Sequence, residues 1–149
     1  MPFRIAKSFT IETGHLLTKH RGACRFPHGH SRTVQIIVTS DVLDPNDMVC
    51  DFAALKAAAA DAIARYDHAF ALNTADPRFA EYRAAYGERV VGFEATDPTT
   101  EVLARDIFAA VRGRLPAAIH AREASTTASV RLERVRVTET ATAWAEYWE

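Results

Sequence analysis

Phe3-Arg4-Ile5-Ala6-Lys7-Ser8-Phe9-Thr10-Ile11 is the stretch that decides the fold. Phe3, Ile5, Phe9 and Ile11 alternate with Arg4, Ala6, Ser8 and Thr10. Period 2 over this length predicts a strand with one face on a core. Outward from it, Thr13-Gly14-His15 breaks the pattern and Thr18 to Pro27 reads as loop. Alternation returns from Thr33 to Ser40, with Val34, Ile36 and Val38 on one face, which predicts a second strand. Asp44-Pro45-Asn46-Asp47 is a turn. Asp51 can cap a helix over Phe52–Tyr66, where Leu55, Ala58, Ala59, Ala62, Ile63 and Tyr66 recur at three and four. Asp97-Pro98 predicts the start of a second helix, with Asp97 as the cap. Its stripe is Leu103, Ile107, Val111 and Leu115, and Pro116 is expected to end it.

Val130 and Leu132, then Val135 and Val137, give a third strand with a phase slip near Glu133-Arg134, a bulge signal. Ala143 to Trp148 is a fourth. The order is strand, strand, helix, helix, strand, strand. Strand pairs at both ends predict an α+β layer, an antiparallel four-stranded sheet with two helices on one face. Between the helices, Phe79, Tyr82 and Tyr86 lie at three and four, which predicts a short amphipathic helix.

The chain has 149 residues, 48% apolar and 25% charged, with a net charge of −1. That is one domain, 1–149, too apolar for disorder. No apolar run approaches the ~20 residues of a membrane span. The near-zero charge argues against a general nucleic-acid or membrane-surface binder. Met1 to Ile5 lacks the apolar region of a signal peptide, and two cysteines make no disulfide scaffold. The expected home is the cytoplasm, with reduced thiols.

Four of the six histidines fall between His15 and His30. In Cys24-Arg25-Phe26-Pro27-His28-Gly29-His30 the two terminal imidazoles project to one side of an extended chain. If the first two strands pair as a hairpin, His15 lies beside them. Three neutral imidazoles make a tripod for zinc with one coordination position open, the catalytic pattern. Cys24 is either a fourth ligand that closes the site or a free thiol beside the metal, acting as a base. Cys50 reads as a small buried apolar residue. No acid lies between Glu12 and Asp41, while Lys19, Arg21, Arg25 and Arg32 are basic. Either an anionic substrate is drawn to the metal, or acids from elsewhere answer these charges. Asp67-His68 ends the first helix; consecutive residues do not easily bond head-on, so a relay would need a third group. Glu139 shares a face with Val135 and Val137. It is either paired with an arginine or free to accept two parallel N–H bonds from a guanidine-like ligand edge.

Together these segments resemble the 6-pyruvoyltetrahydropterin synthase / 6-carboxytetrahydropterin synthase family. The matching pieces run in order along the chain: Phe9 to His15, Cys24-x3-His28-Gly29-His30, Met48-Val49-Cys50-Asp51-Phe52-x2-Leu55-Lys56, Asp67-His68 to Leu72-Asn73, Pro98-Thr99-Thr100-Glu101 and Val137-Thr138-Glu139-Thr140. The resemblance implies a tunnelling fold, ββααββ, whose sheets join into a barrel in a homo-oligomer, a hexamer built as a dimer of trimers. It implies active sites between subunits. His15, His28 and His30 resemble the family's zinc ligands, and Cys24, Asp67 and His68 its catalytic triad. Glu139 resembles its pterin anchor. Thr99, Thr100 and Glu101 resemble the segment that contacts the pterin from a neighbouring subunit. The implied substrate is 7,8-dihydroneopterin triphosphate. The Cys-to-His spacing resembles the carboxy branch, which forms 6-carboxy-5,6,7,8-tetrahydropterin for queuosine and other deazapurines. The pyruvoyl branch, which serves tetrahydrobiopterin, is the alternative. A redirected member with structural zinc that binds another pterin-like ligand is a further one. Ala75–Gly92 is longer than the short link common in the carboxy branch.

Overall fold

A computed structural model describes residues 2–122 and 129–149. In chain order the elements are β1 (Phe3–His15), β2 (His28–Ser40), α1 (Phe52–Tyr66), β3 (Ala69–Asn73), α2 (Phe79–Tyr86), β4 (Val90–Phe93), α3 (Thr100–His120), β5 (Arg131–Thr140) and β6 (Ala143–Trp148). The sheet has six strands in the order β4-β3-β1-β2-β5-β6. The expected antiparallel set is present as β1, β2, β5 and β6. β3 and β4 add to it as parallel strands, β3 on β1 and β4 on β3. The four-strand, two-helix expectation is therefore corrected to six strands and three helices among the described residues. Both added strands are short and mostly buried. Strands covered on both faces do not alternate, so period 2 does not reveal them.

β1 and β2 run in unbroken antiparallel register from Phe3↔Ser40 to His15↔His28. Their inward residues, including Ile11, Val34, Ile36 and Val38, are fully buried. α1 and α3 cover this face. Leu55, Ala58, Ala59 and Ala62 of α1 meet Leu103, Ile107, Val111 and Leu115 of α3 in one continuous core with the sheet. Small alanines on α1 let the two helices approach closely. The opposite face stays polar, with Arg4 paired to Glu133 and both Arg134 and Arg136 paired to Glu146.

α1 has the predicted bounds, and Asp51 caps it by accepting from Ala53 N at 2.7 Å. α3 departs from expectation at both ends. Its cap is Thr99, whose hydroxyl accepts from Val102 N. Asp97 is occupied instead by Lys19 N at 2.7 Å and Asn73 Nδ2 at 2.8 Å. Pro116 lies inside the helix, which continues to His120. One lost backbone bond is outweighed there by burial of Leu115 before it and Ile119 after it. The short middle helix forms as α2. Phe79 and Tyr82 pack on Phe70, Leu16, Leu72 and Val90 in a second small core. Gly14 faces this cluster across the sheet, and a Cβ there would sit 2.8 Å from Phe70 Cδ2.

Two irregularities shape β5. Ile37 pairs with Arg134 but Val38 with Leu132, so Glu133 is bulged out, as the phase slip predicts. A second lies at Glu139, between the pairs Thr138↔Trp144 and Thr140↔Ala143. Bulges re-aim side chains beside functional sites.

Candidate metal and ligand site

The hairpin brings the three histidines together. His15 faces His28 directly, and His30 lies opposite Thr13. His15 Nδ1 is 2.8 Å from Pro98 O, and His28 Nδ1 is 2.7 Å from Phe26 O. A carbonyl can only accept, so both Nδ1 atoms carry the proton and both Nε2 atoms present lone pairs. Those two Nε2 atoms lie 3.0 Å apart. Two acceptors at that distance repel unless a cation sits between them. His30 Nε2 is buried with no hydrogen bond among the described residues. The ligand nitrogens of all three lie within 4.8 Å of one another. This donor set fits a divalent metal such as zinc, with carbonyls fixing two of the rings from behind. Cys24 is outside the cluster. It sits in a one-turn 3-10 helix, Ala23–Arg25, and its carbonyl accepts from Leu17 N.

His15 is 1% exposed. Burial pushes its pKa down to about 4, with the Arg32 guanidinium adding to the effect. Burial lowers His30 as well. Neutral imidazoles are therefore favoured in the fold. As pH falls, the unfolded chain takes the His15 proton near 6.5, before the folded chain does near 4. The metal-free protein is expected to be fully stabilised above pH 6.5 and to lose on the order of 3 kcal/mol from this group as pH drops to about 4. Urea unfolding at pH 7 and pH 4.5 measures it, and equal stabilities would contradict it.

Glu139 borders the tripod. Its Oε1 accepts from Arg32 Nη2 and from Thr100 Oγ1, both at 2.8 Å. Burial raises the Glu139 pKa, but the Arg32 and Thr100 bonds outweigh it and hold the carboxyl below its ordinary range. Of the sequence alternatives for Glu139, the pairing with an arginine is present. One oxygen is paired with an arginine, and the side chain still lines a cavity of about 270 Å³ with His15, Thr99, Thr100, Glu101 and Trp144. Thr100 reaches Glu139 within its own chain.

Asp67 and His68 lie elsewhere. Asp67 accepts from Glu12 N at 2.9 Å, and His68 N donates to Glu12 O. Glu12 is three residues back along β1 from His15, whereas Cys24 sits in the loop beyond it. His68 has φ +57°. That left-handed turn brings its Nδ1 to 3.1 Å from Asp67 Oδ1, so the direct contact, expected to be difficult for consecutive residues, is made. The His68 side chain is 73% exposed. It shares a shallow cavity of about 370 Å³ with Glu12, Gly29, His30 and Ser31.

Arg32 is one of the four basic residues of the acid-free segment. It is a fully buried strand residue, two positions after His30 on the same face. That period-2 spacing was the available signal. Lys19 caps Ala95 O and Arg25 stacks on Phe26, whereas Arg32 pairs with the distant acid Glu139.

Residues 4–149 match the 6-pyruvoyl tetrahydropterin synthase family. The chain belongs to that family. A relative named 6-carboxy-5,6,7,8-tetrahydropterin synthase from Aquifex aeolicus is 34% identical, with 100% of this chain and 99% of the relative covered. One of the same name from Haemophilus influenzae is 29% identical over 99% of both. The fold is similar to that of an uncharacterized protein from Wolinella succinogenes, with a TM-score of 0.79, 21% identity and 99% and 98% coverage. Caenorhabditis elegans 6-pyruvoyl tetrahydropterin synthase gives a TM-score of 0.69 at 18% identity, with 100% and 96% coverage. Family membership accounts for the order of the elements around the histidine hairpin. No helix among the described residues is long and apolar enough to cross a membrane.

Proposed function

We propose that the protein is a zinc-dependent 6-carboxy-5,6,7,8-tetrahydropterin synthase, acting on 7,8-dihydroneopterin triphosphate with loss of triphosphate and acetaldehyde. The observation that carries the reading is three converging imidazole nitrogens beside a hydrogen-bonded Glu139, which lines a cavity together with His15. The carboxy name of the full-length relative supports this branch over the pyruvoyl one.

His15, His28 and His30 would hold the zinc. Bound there, zinc would supply Lewis acidity to the oxygens of the substrate side chain and acidify the adjoining C–H. Glu139 accepts from the 2-amino and N3–H edge of the pterin through the lone pairs that Arg32 and Thr100 leave on the carboxylate, and its charge strengthens both bonds. Thr99, Thr100 and Glu101 complete that wall, and Trp144 offers a flat apolar surface beside it. Cys24, as thiolate, moves the proton on and off the side-chain carbon. Asp67 and His68 set its protonation state. Because they attach to the far side of His15 from Cys24 and expose His68, the pair serves the Cys24 of a neighbouring copy in a hexamer, a dimer of trimers. The polar open sheet face suits the inside of such a barrel. A cytoplasmic location suits a mechanism that needs Cys24 reduced.

The test is incubation of zinc-loaded protein with 7,8-dihydroneopterin triphosphate and identification of products by mass. The 6-carboxy product supports the reading. The pyruvoyl product moves the protein to the other branch. Unchanged substrate with retained pterin binding makes it a redirected member.

A further inference from the structure

Glu139 stands between two uses. Its Oε1 lies 3.5 Å from His30 Nε2 and 3.7 Å from His15 Nε2. Neighbouring ligand atoms on a tetrahedral zinc with bonds of about 2.0–2.1 Å are roughly 3.4 Å apart. The carboxylate is therefore at ligand spacing from two of the three imidazoles. Carboxylates are common zinc ligands, and a fourth protein ligand closes a site to substrate.

That same oxygen already accepts two bonds, from Arg32 Nη2 and Thr100 Oγ1. A carboxylate oxygen has two lone-pair sites, so Oε1 has none left for a metal. Arg32 is 0% exposed, and its Nε and Nη1 are buried without a partner among the described residues. A guanidinium so incompletely bonded is costly to bury, and an apolar side chain would serve packing better. Its single ionic bond goes to the one oxygen that faces the tripod, and its Nη2 lies 3.3 Å from His15 Nε2.

We propose that Arg32 is a positioning residue that holds Glu139 Oε1 off the histidine tripod, keeping the fourth coordination position open and the carboxylate committed to the ligand cavity. The proposal rests on the reading of the tripod as a zinc site. Without Arg32, Oε1 regains a lone pair and completes a three-histidine, one-carboxylate set.

The experiment measures zinc affinity of the full chain by competition with a chromogenic chelator, using zinc alone as the probe. Arg32→Met is expected to bind zinc roughly tenfold tighter or more, the scale on which groups behind the ligands tune metal sites. Thr100→Val removes the other donor and is expected to gain less, in the same direction. Adding Glu139→Gln to either variant is expected to cancel the gain. Affinity that is unchanged or weaker in both single variants overturns the proposal, as does a gain that survives Glu139→Gln. If Arg32→Met does not fold, Thr100→Val with and without Glu139→Gln decides on the same criteria. A native protein that binds no zinc overturns the zinc reading itself, whereas native binding without gains in the variants overturns this proposal alone.

Discussion

Cys24→Ala is expected to keep its zinc and lose its turnover, with kcat falling roughly 10²- to 10⁴-fold, the range that a positioned proton-transfer group supplies. The retention follows from geometry. The three ligand nitrogens converge without the thiol, and Cys24 contributes to local structure through its backbone carbonyl, which alanine preserves. Its short 3-10 turn buries nothing, so melting temperature is expected to stay near that of the native protein. KM is expected to change little, because the cavity that holds the pterin is lined by other residues. Metal analysis beside steady-state kinetics checks both halves. Zinc falling with activity would make Cys24 a ligand and remove it as the base.

Glu139→Gln is expected to lower kcat/KM about 10²-fold, mostly through KM. Two N–H bonds to a carboxylate become one bond to an amide oxygen and one clash of donors, a loss on the order of 2–3 kcal/mol. A second effect is set by what lies beneath. Arg32 is fully buried and has Glu139 as its ionic partner. Replacing that anion leaves a buried cation with only a neutral acceptor, which is expected to lower stability by up to about 3 kcal/mol. The variant should thus bind substrate poorly and melt early. Kinetics at a temperature where it is fully folded separate the two. Unchanged KM there would place the pterin edge elsewhere.

The hairpin was legible because Ile11, Val34, Ile36 and Val38 each bury one face of an alternating strand. α1 was legible to the residue because Asp51, its stripe and Asp67 agree on one helix. Where side chains carry mixed duties, reading failed. Asp97 looks like a cap but is taken by Lys19 and Asn73, which moves the helix start to Thr99. Pro116 looks like a stop, yet the buried stripe runs past it. β3 follows α1 after two residues with no Gly or Pro between, and a buried parallel strand has no polar alternation to expose it. At the site, the histidines and Glu139 were readable from type and spacing. Arg32 was not, because its partner lies 107 residues away and a sequence does not say which charges meet. The direct Asp67–His68 contact depends on a left-handed backbone at His68, which no side-chain pattern announces.

The central claim is an open metal centre of three imidazoles, with Glu139 beside it but not bound and Cys24 outside the ligand set. X-ray absorption at the zinc edge of the purified protein tests it most directly. The expected result is three nitrogen scatterers from imidazole and one light atom from solvent around the zinc, with no sulfur, and the same set in Cys24→Ala. A zinc–sulfur distance near 2.3 Å, lost in that variant, would contradict it.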